Sequence, residues 1–360
     1  MPNQPRSILR PEVLQMQAYH VPDASGYIKL DAMENPWPWP DELKSAWCEA
    51  LREVEINRYP DPSARELTAA LAAHMGLPDS MGLLLGNGSD ELIQIIEMAV
   101  AKPGAVVMAP TPTFVMYEVI ADWLGVTFVG VPLGEGFALD VAAMKTAMAK
   151  HDPAVVFLAW PNNPTANLYP KADVRAIIEA APGLVVVDEA YQPFAQDTLL
   201  PALTDYDNLL VMRTLSKAGF AGLRLGMLAG HSRWLEEFDK LRLPYNINSL
   251  TQASARFALS HWDVFGKQVA ILRTEREKML NLLQNTPGVT VWPSKANFII
   301  FRVADAPAVH AALKQRKILI KSLHQPDSPL ENCLRVTVGR PEENQSFITA
   351  LTRIFHEDAR

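Results

Sequence analysis

Cysteine is nearly absent from this sequence. Cys48 and Cys333 stand alone and far apart, which rules out a disulfide framework or a thiolate metal site and makes a reducing compartment, the cytoplasm, the expected home. The eight histidines are scattered, none paired with another at ligand spacing, so metal-dependent chemistry lacks its donors. There is no run of Lys and Arg, and the net charge is −7. Nucleic acid is therefore excluded as a partner, because phosphate neutralisation needs a basic face. No apolar run reaches the roughly 20 residues that cross a bilayer, and residues 1–10 hold no apolar segment of the kind a secretory leader needs. Neither membrane association nor export is expected. A Gly-x-Ser-x-Gly turn is missing, which removes the usual serine-hydrolase nucleophile. The 28 prolines fall in short breaks, so no low-complexity linker or repeat divides the chain.

What is present is a chain of 360 residues, 49% hydrophobic and 20% charged, enough for one large α/β unit or two domains. Its organising stretch is Val211 to Gly226. A short apolar strand there delivers Thr214, Ser216 and Lys217 into a loop of small and apolar residues that ends in Arg224. Burial among Ala, Gly, Phe and Leu lowers a lysine's pKa toward the neutral, nucleophilic amine, whereas Arg224 stays charged and suits a permanent anion such as phosphate. An imine-forming lysine beside a phosphate-holding arginine suggests pyridoxal phosphate, although ordinary packing explains the same residues when they are taken alone.

Along the chain, residues 8–40 have no sustained period and read as an arm lying on a surface, with a short strand at Ile28 to Leu30 and with Trp37 and Trp39 as surface packing. A helix is expected over Pro40 to Val54. Tyr59 follows between turn-forming residues, and Ser63 with Glu66 reads as a capping box for a helix to His74. Leu83 to Leu85 enters Gly86-Asn87-Gly88-Ser89-Asp90-Glu91 and a helix to Val100, an arrangement that offers backbone N–H groups and a positive helix end to an anion. A dinucleotide fingerprint fits less well, because Glu91 occupies the place of its third small residue. Apolar strands then alternate with helices from Ala105 to Asp188, the pattern of a mostly parallel sheet covered on both faces, which binds ligands at the carboxyl ends of its strands.

Three such ends are informative: Pro161-Asn162-Asn163-Pro164-Thr165, Asp188-Glu189-Ala190-Tyr191 and Thr214-Leu215-Ser216-Lys217. An aspartate after three valines needs a cation or a donor, and a protonated pyridine nitrogen is such a partner; a helix cap is the alternative for Asp188, a turn for Asn163 and simple packing for Tyr191. Beyond Gly226 one long helical region is expected from Ser249 to about Leu283. A smaller lobe with an antiparallel sheet follows, including a strand Ile318 to Lys321. Arg335, within the strand Cys333 to Val338, is either a salt-bridge partner or a substrate anchor.

In this order the motifs, with Asn57-Arg58-Tyr59-Pro60-Asp61-Pro62, Pro112-Thr113-Phe114 and Asn332-Cys333-Leu334-Arg335-Val336-Thr337-Val338-Gly339 added, resemble the fold type I pyridoxal-phosphate aminotransferases, most closely the histidinol-phosphate aminotransferases. The resemblance spans nearly the whole chain. It implies an α/β fold: a large cofactor-binding domain over residues 46–265 with a mostly parallel sheet flanked by helices, a smaller α/β domain over 266–360, and an arm over 1–45 that partly joins the small domain. It further implies Lys217 as the Schiff-base lysine and Asp188 as partner of the pyridine nitrogen. Asn163 and Tyr191 would hold the ring oxygen, and Phe114 would stack on the ring. Ser89, Asp90, Thr214, Ser216 and Arg224 would hold the phosphate, with Tyr59 reaching it from the other subunit of a homodimer. Tyr19, again across the interface, and Arg335 would meet the substrate's phosphate or carboxylate, with Lys321 standing where relatives often carry Arg. The implied reaction transfers the amino group of L-histidinol phosphate to 2-oxoglutarate.

Two further departures are visible. Ala166 replaces the usual glycine after Pro-Thr, at little cost if its backbone angles stay allowed, and the Lys217-to-Arg224 spacing is one residue short. An aromatic-amino-acid aminotransferase or a threonine-phosphate decarboxylase shares this cofactor pocket and differs at Tyr19, Lys321 and Arg335. A non-catalytic relative would not need Lys217 and Asp188.

Overall fold

The computed structural model describes residues 8–18 and 21–358. Its strands in chain order are Ile28–Lys29 (β1), Gly82–Gly86 (β2), Val106–Thr111 (β3), Thr127–Pro132 (β4), Val155–Ala159 (β5), Leu184–Asp188 (β6), Leu209–Thr214 (β7), Gly226–Gly230 (β8), Thr290–Val291 (β9), Phe298–Arg302 (β10), Ile318–Leu319 (β11), Lys321–Ser322 (β12) and Cys333–Thr337 (β13). Seven of them form one sheet in the order β2-β8-β7-β6-β5-β3-β4, in which only β8 runs against its neighbours.

Unbroken Val, Leu and Phe runs suit these strands because both faces are covered. On one face Val155, Phe157 and Ala159 pack with helices Ser89–Val100, Met116–Leu124 and Ser232–Asp239. On the other, Val156, Leu158 and Trp160 pack with Val141–His151 and Lys171–Ala180. From β3 the chain moves outward to β4, while from β5 it moves the other way through β6 to β7. The reversal opens a crevice at the carboxyl ends of β3 and β5, where ligands of such sheets bind.

A second sheet, β12-β13-β10-β9, is antiparallel, and β1 pairs in parallel with β11. The expected strand Ile318 to Lys321 is therefore two pieces serving different sheets. The expected long helix is also two, Ser249–Ser260 and Trp262–Gln284, broken where His261 leaves helical angles and its ring meets the Phe257 carbonyl at 2.8 Å. The capping box at Ser63 does not form. Ala64 is left-handed (φ 43°), the helix runs Arg65–Met75, and Asp61 receives the N–H groups of Ser63 and Arg65, while Glu66 pairs with Arg256. Among the described residues no helix is long and apolar enough to cross a membrane.

Candidate active site

The carboxyl ends of β5, β6 and β7 supply Asn163, Asp188, Thr214, Ser216 and Lys217 to one cavity of about 220 Å³, and Ser89, Asp90, Phe114, Tyr191 and Arg224 complete its wall. Residues from five separate motifs thus meet in one slot. Asp188 is buried and accepts two hydrogen bonds, from the Tyr117 hydroxyl at 2.7 Å and from the Ala190 N–H at 3.0 Å. Burial pushes its carboxyl up to about 6, against those two donors, which favour the anion. Lys217 faces the Tyr191 ring with its Nζ 5.7 Å from the centroid, and burial, reinforced by the Arg335 charge, lowers its amine to about 8. Tyr191 accepts the Asn163 amide at 3.2 Å, and burial holds its phenol protonated.

Beside these groups lies an anion cradle. Helix Ser89–Val100 turns its first N–H groups toward the slot. Gly88, at φ 87°, and Gly226 let the backbones close up: a Cβ on Gly88 would stand 2.6 Å from Arg224 Nη2, and one on Gly226 2.5 Å from the Gly88 carbonyl carbon. Arg224 reaches the rim from a left-handed backbone (φ 48°) and pairs with Asp90 at 3.4 Å. The Thr214 hydroxyl ties down the lysine loop, donating to the Leu225 carbonyl at 3.0 Å and accepting the Ser216 N–H at 3.1 Å. Backbone N–H groups, two hydroxyls and a guanidinium suit a phosphate, and a buried carboxylate beside a lysine of depressed basicity suits the pyridine ring and aldehyde of pyridoxal phosphate.

A larger cavity of about 650 Å³ adjoins the slot, sharing Met33, Phe114 and Asn163 with it. Lys321 and Arg335, both on its wall, are directly opposite across β12 and β13. Facing like charges are unfavourable in a sheet unless an anion joins them. Arg335, on the wall of the larger cavity, is tied to the slot through Asn163, whose side-chain oxygen accepts from it at 2.6 Å, and it also donates to the Asp31 carbonyl at 3.1 Å. A separate crevice of about 560 Å³ against β2 contains none of the expected site residues. Tyr59 lies apart from the slot, 81% exposed and stacked at 4.5 Å on Tyr245. Tyr19 lies outside the described residues.

Two expectations need correction. Trp39 is not surface packing: half-buried, it meets Trp47, Phe220 and Phe265 and its ring N–H reaches the Gly219 carbonyl at 3.4 Å, so with Asn35, bonded to the Ala218 carbonyl, it braces the lysine loop. Ala166 is left-handed (φ 64°), a conformation that costs an alanine about 1 kcal/mol more than a glycine. Sequence reasoning also missed Tyr117 and the buried pair behind the slot, in which Arg213 donates to Glu189 at 2.9 Å. Their one signal was a polar head on an otherwise apolar stripe or strand.

Comparison with known proteins agrees with this geometry. The aminotransferase class I and II family matches residues 25–351. Histidinol-phosphate aminotransferase 2 of Nitrosococcus oceani is 54% identical, with 95% of this chain and 96% of that protein aligned. Histidinol-phosphate aminotransferase 1 of Ralstonia nicotianae is 53% identical over 95% and 93%. In fold, the chain is similar to the crystal structure of histidinol-phosphate aminotransferase from Sinorhizobium meliloti in complex with pyridoxal-5'-phosphate, with a TM-score of 0.86 at 24% identity over 98% of each chain. A slot built on strand ends around an enclosed lysine, a family match over most of the length and relatives sharing half their residues lead to one conclusion: the chain belongs to the class I and II aminotransferases, among the histidinol-phosphate aminotransferases.

Proposed function

We propose that this chain transfers the amino group of L-histidinol phosphate to 2-oxoglutarate with pyridoxal 5'-phosphate as its cofactor, giving imidazole acetol phosphate and glutamate, a cytoplasmic step of histidine biosynthesis. A lysine seated in one slot with a buried carboxylate and a helix N-terminus is the observation that supports this most. The cofactor's phosphate would be held by the Ser89 and Asp90 backbone, Thr214, Ser216 and Arg224. Asp188 would meet its ring nitrogen, Asn163 and Tyr191 its ring oxygen, Phe114 its face and Lys217 its aldehyde carbon. When bound, that group supplies an electron sink and a carrier for the amino group.

The chain's own residues do the rest. Lys217, neutral above about pH 8, takes a proton from the substrate's reacting carbon and returns it on the other side of the transfer. Arg335 and Lys321 hold the substrate's phosphate, or the carboxylate of 2-oxoglutarate in the second half of the reaction. Through Asn163, Arg335 also links anion binding to the slot. Tyr59, Ile56 and Leu243 are all more than 70% exposed, and a homodimer would lend Tyr59 and Tyr19 to the partner's site.

Borohydride reduction of the coloured protein, followed by peptide mapping, should mark Lys217. Rates on histidinol phosphate, phenylalanine and threonine phosphate then choose the donor. A colourless protein, a label on another lysine, or no turnover of histidinol phosphate would each overturn the corresponding part.

A further inference from the structure

Tyr117 lines neither cavity and is completely buried on helix Met116–Leu124. A phenol on an apolar helix face needs a hydrogen-bond partner, and this one finds it 71 residues away, at Asp188 Oδ2. The ring is fixed on two sides. It stacks on Phe157 of β5 at 4.5 Å with the planes 7° apart, and it meets Phe114 edge to face at 5.6 Å. Phe114 and Asp188 are both walls of the slot. Asp188 Oδ1 is held separately by the Ala190 N–H at 3.0 Å. With one donor on each oxygen, from two different elements, the carboxylate cannot turn without breaking a bond. A hydroxyl that donates to it also favours the anion, because a carboxylate accepts a stronger hydrogen bond than the neutral acid does.

Resting on the cofactor assignment above, we propose that Tyr117 is a positioning residue for the cofactor ring: its hydroxyl keeps Asp188 charged and aimed at the ring nitrogen, and its ring sets the angle of Phe114 against the ring face. One buried side chain then governs two contacts that it does not itself make.

The test uses the full-length apoprotein, titrated with pyridoxal 5'-phosphate and with the analogue that carries carbon in place of the ring nitrogen, binding being read by absorbance. Tyr117→Phe keeps the ring and removes the donor. It should bind pyridoxal phosphate roughly tenfold more weakly, as loss of a hydrogen bond to a charged group implies, and bind the carbon analogue as the wild type does, since Asp188 has no nitrogen to meet there. The ratio of the two affinities separates a role acting through Asp188 from simple packing. Equal loss on both ligands, or no loss on either, overturns the proposal. Tyr117→His retains an N–H donor and should keep the wild-type ratio. If the apoprotein melting curve shows the Phe variant unfolded, the His variant decides between the two roles: wild-type affinity for both ligands supports the proposal, and an equal loss on both counts against it. A wild-type chain that takes up neither ligand overturns the cofactor assignment, and this proposal with it.

Discussion

Asp188 and Glu97 are carboxylates buried in adjoining parts of the molecule, the first at the end of β6 and the second on the helix whose first turn forms the anion cradle. Asp188 accepts from Tyr117 and Ala190. Neither oxygen of Glu97 has a hydrogen-bond partner among the described residues. Burial raises both, Asp188 to about 6 and Glu97, with Asp122 adding to the effect, to about 8. The difference follows from the donors. Burial alone leaves an acid neutral at physiological pH, and it takes aimed N–H and O–H groups to keep a buried acid available as an anion. A cofactor site therefore has to be built with its supporting groups, and those groups are found one layer behind the cavity wall.

The largest effect should come from removing the charge that the donors maintain. Asp188→Asn keeps the shape of the side chain and loses the anion. Uncoupling a buried charge from its partner costs about 3–5 kcal/mol, so kcat for transamination should fall by roughly two hundredfold to a few thousandfold, read by steady-state rates at saturating cofactor. A variant within a few-fold of wild type would mean that Asp188 is buried like Glu97, without a task.

A second, intermediate effect concerns the base enclosed with that acid. The Lys217 amine is lowered from 10.5 to about 8. Only the uncharged amine attacks an aldehyde, so the rate at which apoprotein captures pyridoxal phosphate should climb about tenfold per pH unit and level off near pH 8. Stopped-flow absorbance over pH 6 to 10 checks this. A rate still climbing at the upper end would show an ordinary, solvated lysine.

Much of the fold was legible because the large sheet is covered on both faces, so that its strands are unbroken apolar runs and their polar ends stand out. Asn163, Asp188, Thr214, Ser216 and Lys217 were found by position alone, each just beyond the carboxyl end of such a run. What was not legible depends on register and packing between distant segments. Nothing local says that Lys321 sits opposite Arg335, or that residues before and after Ile320 serve different sheets. Tyr117 reads as one more member of the stripe Tyr117, Ile120, Ala121, and its hydroxyl acquires meaning only when β6 is laid beside it. An arm without periodicity places Trp39 at the surface, and only the lysine loop brought against it half-buries the ring. Ala166 stands out in the sequence only as a departure from glycine, and alanine carries no sign of the left-handed backbone angle it adopts here.

Glu97 gives the smallest effect and the sharpest contrast with Asp188. In the unfolded chain its carboxyl ionises near 4.5, whereas in the folded chain burial holds it protonated up to about 8. Between those values the folded state binds a proton that the unfolded state has released, so stability falls as pH rises through the window and is level above it. Glu97→Gln replaces the protonated acid with a neutral group of the same shape and should remove that slope. At pH 8 the variant should be more stable than the wild type, because its amide stays neutral without having to hold a proton that the unfolded chain has released, and at pH 4.5 it should match the wild type. Calorimetric melting curves at the two pH values check it. An equal shift at both would trace the gain to packing, and a destabilised variant at pH 8 would mean that Glu97 is held as an anion after all. Because Glu97 lies two turns from the anion cradle on the same helix, the variant also probes the slot: if donors alone separate the two acids, Glu97→Gln will leave transamination unchanged while Asp188→Asn abolishes nearly all of it.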